Sequence, residues 1–240
     1  MLSLAVAGLV LSGCTGPLST LDPAGPSAAA VATLWWIMLA GAALLFALVL
    51  ILLLVGFVRP GLGSGIPPRV WLVGGGLVLP AIVLTPLMIV GLWSGEKLLF
   101  RGDAPAVTID VTARQFEWQF SYRNDDGSAA HSLNVLHLPA AMPVRLEVRS
   151  DDVIHSFWVP RLAGKIDAIP GHTNVIVLSA DAAGIYRGSC AEFCGRDHTA
   201  MLMEVQVHAS EAQFRDAIRA LAPAANPAAA PGTTSPETQP

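Results

Sequence analysis

The sequence predicts two membrane-crossing helices followed by an all-β sandwich or barrel that a short helix closes. Three observations predict this. Two long apolar runs in the N-terminal part carry no charged residue. Between residues 107 and 207 the apolar residues recur mostly at every second position, the period of strands. After residue 210 the spacing changes to that of one amphipathic helix.

The chain has 240 residues, 53% hydrophobic and 13% charged, with a mean hydropathy of +0.56. That is too apolar for an ordinary soluble domain. The formal net charge is −4. Without a basic run or interleaved aromatic and basic residues, the chain has no footprint for nucleic acid.

Residues 31–58 and 70–93 are the two apolar runs, each long enough to cross a bilayer, which takes about 20 residues. Pro80 and Pro86 fall inside the second. A helix bundle tolerates them because neighbours satisfy the freed carbonyls. The connecting loop "RPGLGSGIPPR" holds Arg59 and Arg69 and no acid, while residues 14–30 hold no Lys or Arg. The positive-inside rule then puts the loop in the cytoplasm and both termini on the periplasmic side of a bacterial inner membrane.

Ahead of the spans, "MLSLAVAGLVLSGC" resembles a bacterial lipoprotein signal in which Cys14 would be lipidated, although it lacks a basic n-region. Residues 1–30 read as signal and linker. Residues 31–93 form the hairpin, 96–222 the polar domain, and 223–240 a Pro/Ala-rich tail without a core.

Within the polar domain, "AVTIDV" sets Val107, Ile109 and Val111 on one face, and "QFEWQF" sets Phe116, Trp118 and Phe120. The parity switches between them, which predicts a bulge or break within residues 112–115. "PVRLEVRS" alternates cleanly, "NVIVLSA" reads as a continuously apolar strand, and "MLMEVQVHA" alternates again. Ser210 with Gln213 predicts an N-cap and capping box, with Phe214, Ile218 and Leu221 on the inner face.

Chemistry concentrates in "GSCAEFCGRDHTAM". It carries two of the chain's three cysteines with a histidine, a methionine and a glutamate. A Cys190–Cys194 disulfide would need neither His198 nor Met201, and zinc rarely takes a thioether. Soft thiolates with imidazole and thioether point to copper. One copper ion of the blue type leaves a sulfur over, whereas two ions sharing both thiolates use the full set. A second histidine is then needed, from among His131, His137, His155, His172 and His208. His155, in "SDDVIHSFWVP", follows an alternating strand and has apolar neighbours that would shield a metal.

"DDVIHSFWVPRLAGKIDAIPG" followed by "GSCAEFCGRDHTAM" resembles the copper domain of subunit II of the haem–copper cytochrome c oxidases. The pattern Cys-x-Glu-x-Cys-x3-His-x2-Met matches at each ligand position. The resemblance implies a cupredoxin-like Greek-key domain with a dinuclear copper centre, CuA. It implies that Cys190 and Cys194 bridge the ions, and that His155 and His198 each cap one. Met201 and the Glu192 backbone carbonyl would be weak ligands, and the Glu192 carboxylate would reach magnesium at the boundary with subunit I. The partners implied are subunits I and III, cytochrome c as electron donor, and the lipid bilayer. Oxygen chemistry and proton translocation would belong to subunit I. Phe116 and Trp118 are the candidate electron-entry residues, with Phe116 where the family commonly has Trp. Asp151 and Asp152 are candidates for docking a basic cytochrome c.

Other readings are subunit II of a quinol oxidase, which has lost the copper ligands, and a copper-bearing subunit of a nitric oxide reductase. Envelope copper delivery would need an open, exchangeable site. These 240 residues contain no Cys-x-x-Cys-His, so a c-type haem is not expected on the tail.

Overall fold

The computed structural model describes residues 14–98, 105, 107–124 and 128–221. The apolar stretch before Cys14 and the Pro/Ala tail lie outside them. The chain divides into a helical unit, which also takes in Arg161–Gly164, and a β unit.

In the helical unit, α1 runs over Pro26–Val58, with Pro26 at its first turn. It begins before the expected Val31, because "PSAAA" continues the helix: proline has the right φ for a first turn and alanine the best helix propensity. At about 1.5 Å per residue it is roughly 50 Å long, more than the ~30 Å of a bilayer core. The second helical stretch is composite. Pro68–Val70 is α-helical, Trp71–Val78 has π-helical geometry, and α2 follows over Leu79–Leu98. Pro80 supplies the reason for the wide segment. Its ring would clash with the carbonyl four residues back, at Gly76, and a widened turn relieves that. The most apolar parts of both stretches have mean hydropathies of 3.1 and 2.2 and expose apolar side chains all round. Helices of that kind are solvated by lipid or by other chains.

Among the described residues, the β unit has ten strands in two five-stranded sheets. One sheet has the order β3-β2-β1-β5-β8 and the other β4-β10-β9-β6-β7. The strands are β1 (Val107–Arg114), β2 (Glu117–Arg123), β3 (Ala129–Leu133), β4 (Val135–Pro139), β5 (Val144–Ser150), β6 (His155–Trp158), β7 (Ile166–Ala168), β8 (Asn174–Leu178), β9 (Gly184–Cys190) and β10 (Leu202–His208). β1–β5 and β4–β10 are parallel pairs, so the chain crosses between the sheets instead of meandering along one. This is the cupredoxin-like sandwich of the sequence analysis. Alternate residues fill its core: Ile109, Val111, Trp118, Phe120, Leu146, Val148, Phe157 and Val205 are all wholly buried.

The expected irregularity at residues 112–115 is a tight turn, not a bulge. β1 and β2 form a hairpin in which Arg114 faces Glu117 and Ala113 faces Trp118. Only Gln115 and Phe116 make the turn. Cross-strand partners share a face, so inward residues are odd-numbered before the turn and even-numbered after it. β8 is the expected apolar strand, and it lies at a sheet edge, where Val175 is 40% exposed.

The closing helix α3 spans Glu211–Arg219. Ser210 Oγ accepts from the Gln213 N–H at 3.2 Å, while Gln213 Oε1 accepts from the Ala209 N–H, one residue before the cap. Phe214 and Ile218 are buried, whereas Leu221 lies past the helix end and is only half-buried.

A histidine pair sits beside Phe214. His137 Nδ1 and His208 Nε2 are 3.0 Å apart with their rings stacked. Burial first, and then His208, lower His137 from 6.5 to about 4 against the opposing pull of Glu204. The unfolded chain therefore takes up a proton near pH 6.5 that the folded chain refuses until about pH 4. Stability is expected to fall as pH drops through that window, by on the order of 2 kcal/mol after allowance for solvent screening. Urea unfolding at pH 7 and 4.5 checks this. His137→Asn is expected to flatten the pH slope relative to wild type, and parallel slopes would contradict the assignment.

Candidate metal centre

β9 and β10 pair antiparallel, with Ser189 opposite Leu202, and the loop joining them carries most of the candidate ligands. Cys190 ends β9, and its N–H donates to the Met201 carbonyl at 3.0 Å, which closes the loop at its base. Cys194 lies mid-loop, and His198 opens a short 3-10 turn that ends before Met201. His155, distant in sequence, arrives through β6. Phe157 pairs with Cys190 and Trp158 with Ser189, which lays His155 beside the loop. Gly188 permits that approach, since a Cβ there would stand 2.7 Å from the Trp158 carbonyl oxygen.

The donor atoms converge. Cys190 Sγ and Cys194 Sγ are 3.8 Å apart, and both cysteines are free thiols. Cys190 Sγ lies 3.9 Å from His155 Nδ1 and 3.2 Å from the Glu192 carbonyl oxygen. Cys194 Sγ lies 3.6 Å from His198 Nδ1 and 3.8 Å from Met201 Sδ. His155 and Met201 are wholly buried, and the two cysteines nearly so. His155, Cys190 and Cys194 alone form a cluster that could hold a metal ion. Thiolate, imidazole and thioether donors at these separations fit a soft metal such as copper. Burial first, and then Cys190, push the Cys194 thiol up to about 11. A metal cation must therefore displace a firmly held proton.

Asp152 fixes the His155 ring. Its Oδ1 is 2.8 Å from His155 Nε2, leaving Nδ1 toward the sulfurs. A hydrogen bond on the far nitrogen selects the tautomer and orientation a metal needs. Burial works against ionisation of Asp152. Hydrogen bonds from His155, the Gln115 and Val153 N–H groups and Ser150 outweigh it and hold the carboxyl at about 2. Asp151 is paired with Arg114 at 2.7 Å.

The other residues singled out from the sequence divide between rim and core. Phe116 is half-buried at the rim, whereas Trp118 is wholly buried, 6.2 Å from the His155 ring and 5.6 Å from that of Phe157. Glu192 and Phe193 are exposed on the loop, and Phe193 stacks edge-on toward His198 at 5.8 Å. Val153 and Ile154 add exposed apolar surface just before His155. Cys14 lies in the helical unit, where its carbonyl accepts from Ser19 Oγ. His131 lies against Ser121 and His172 in a turn, and neither belongs to the cluster of His155, Cys190 and Cys194. Sequence reasoning singled out Asp152 only for docking, although the Asp-x-x-His spacing could have flagged it as the partner of His155. Nothing in the sequence flagged Gln115, whose Nε2 donates to the Cys194 carbonyl at 2.6 Å.

Residues 128–208 match the family model described as cytochrome c oxidase subunit II, periplasmic domain. Cytochrome c oxidase subunit 2 of Alkalihalophilus pseudofirmus is 34% identical over 228 residues, covering 87% of this chain and 64% of that protein. Cytochrome c oxidase subunit 2 of Thermostichus vulcanus is 41% identical over 111 residues, covering 46% of this chain and 32% of that one. The chain thus spans less than two thirds of the length of these relatives. Among solved structures, the periplasmic domain of subunit II of cytochrome oxidase of Bradyrhizobium japonicum aligns with a TM-score of 0.45 and 27% identity, covering 49% of this chain and 94% of that domain. Residues 128–208 are thus similar to the periplasmic domain of cytochrome c oxidase subunit II, and two helices long and apolar enough to cross a bilayer precede them.

Proposed function

We propose that the chain is the electron-entry subunit of a terminal oxidase, holding two copper ions and relaying electrons from cytochrome c to haem in subunit I. The observation that carries this reading is the closed donor set. Two thiols, two imidazoles, a thioether and a carbonyl oxygen face one another within a few ångströms, all from this chain.

His155, Cys190, Cys194, His198, Met201 and the Glu192 carbonyl would hold the metal. Copper held there would supply one-electron chemistry. The protein's part is to keep the ligands still. β6 and β9 hold His155 and Cys190 in register, Asp152 orients the imidazole, and Trp118 and Phe157 exclude water behind it. Ligands that are fixed before and after reduction need little rearrangement, which suits electron relay better than bond-making.

The rim suggests how a donor docks. Asp151 is neutralised by Arg114, and Asp152 is spent on His155 and the neighbouring main chain. Exposed apolar surface remains near the ligands at Phe116, Val153, Ile154 and Phe193, beside the charged Glu192, Arg196 and Asp197 of the loop. We assign electron entry to Phe116 at this rim, and place Trp118 beneath it as packing for His155. The exposed Glu192 carboxylate is free to meet a magnesium ion at the boundary with subunit I. The basic loop between the helices faces the cytoplasm, and the β unit the periplasm.

Copper loading of the full-length chain in detergent tests the reading. Two coppers per chain are expected, with an EPR signal from one electron shared over both. Reduced cytochrome c should then reduce the centre at a rate that changes little with salt. One copper per chain, or a preference for zinc, would overturn the metal assignment. A steep salt dependence would overturn the apolar docking.

A further inference from the structure

We infer that Gln115 is a positioning residue that fastens the two ligand-bearing segments together and sets the place of Cys194. The inference rests on the copper reading above. Its side-chain Nε2 donates to the Cys194 carbonyl at 2.6 Å, and its main-chain N–H donates to Asp152 Oδ2 at 2.7 Å. Asp152 Oδ1 in turn meets His155 Nε2 at 2.8 Å. The chain of contacts therefore runs from Cys194 through Gln115 and Asp152 to His155. It joins the β9–β10 loop to the segment before β6 by way of the β1–β2 turn.

The loop rests on that turn without a gap. A Cβ on Gly195 would lie 2.8 Å from Gln115 Nε2 and 3.2 Å from Phe116 Cζ, and Gly195 has a φ of +136°. Only glycine allows this backbone conformation and this approach together. Ordering a glutamine side chain on a surface turn costs rotamer freedom. Here the carboxamide is aimed at a carbonyl whose own residue supplies a ligand. The physical consequence is specific. The separation of the Cys194 sulfur from Cys190 and His198 depends on where the Cys194 main chain sits, and Gln115 is the side chain that holds it there. A hydrogen bond of this kind lowers the population of open loop conformers, so it governs how tightly metal is retained and how evenly the two ions share their ligands.

The test uses the full-length chain with Gln115→Leu and Gln115→Asn. On the metal-free protein, the alkylation rate of Cys194 under native conditions is followed by mass spectrometry of its peptide. On the copper-loaded protein, copper release to a chelator and the EPR hyperfine pattern are measured. Both variants are expected to raise Cys194 labelling and copper release about tenfold, the factor that ~1.4 kcal/mol represents. They should keep both coppers but show an altered hyperfine pattern, a signature that a general loss of stability would not produce. Wild-type labelling rates and spectra in both variants would overturn the inference. Should Gln115→Leu fail to fold, Gln115→Asn decides, since it stays polar but falls one methylene short of the carbonyl. A wild-type chain that binds other than two coppers would overturn the functional reading instead. The metal-free labelling rates would still decide whether Gln115 clamps the loop.

Discussion

Cys194→Ser is expected to abolish the two-copper centre. Copper bound per chain should fall from two to one or fewer, and the EPR signal of a shared electron should vanish. Cys194 Sγ lies within 3.8 Å of Cys190 Sγ, His198 Nδ1 and Met201 Sδ, so three other donors depend on it for a common metal. A serine oxygen is close to isosteric, but it is a hard donor and stays protonated at neutral pH, so it replaces neither the softness nor the charge of a thiolate. The fold should survive. Cys194 is a small buried side chain in a loop, and the metal-free variant should unfold within about 1 kcal/mol of wild type by denaturant titration. An unchanged spectrum in Cys194→Ser would remove that sulfur from the site.

Trp118→Ala should bring the largest loss of stability, about 3–5 kcal/mol, the usual cost of deleting a large buried aromatic ring. Trp118 is wholly buried, sits opposite Ala113 across the hairpin and packs edge-on against Phe157. Its removal also opens space behind His155, whose ring centre is 6.2 Å away. Copper should then be released faster as well. Trp118 Nε1 has no hydrogen-bond partner among the described residues, so Trp118→Phe loses only packing volume and should cost far less than the alanine variant. Denaturant unfolding of the three proteins checks the order. A loss below about 1 kcal/mol in Trp118→Ala would show that the sandwich core does not depend on this ring.

Most of the candidate donors could be picked out in advance because they are close along the chain. Cys190, Cys194, His198 and Met201 share one loop, and donor chemistry alone limits what such a set can bind. His155 was reachable by a second kind of inference, since a strand that alternates cleanly ends just before it. The helix boundaries were less legible. α1 starts at Pro26 because alanine and serine continue a helix without being hydrophobic enough to mark a span. β8 was legible as an apolar strand, but apolar composition does not say whether a strand lies at the centre or edge of a sheet.

Asp151 and Asp152 show the limit most clearly. In sequence they are adjacent acids near a ligand, and their charge suggested docking. In the fold, Asp151 is paired by Arg114, and Asp152 is consumed by His155, Gln115 and Val153. Charge can be counted from a sequence, but whether it remains available depends on partners brought from elsewhere.

By itself, then, the sequence determined the apolar helices, the alternating strands and the donor types, because hydrophobic period and ligand chemistry are local properties of a chain. Only the tertiary structure decided that β6 lies against β9, bringing His155 to Cys190. It also decided that the β1–β2 turn reaches across to hold Cys194. Those contacts join residues far apart along the chain, and their geometry follows from how two sheets pack, which no local pattern encodes.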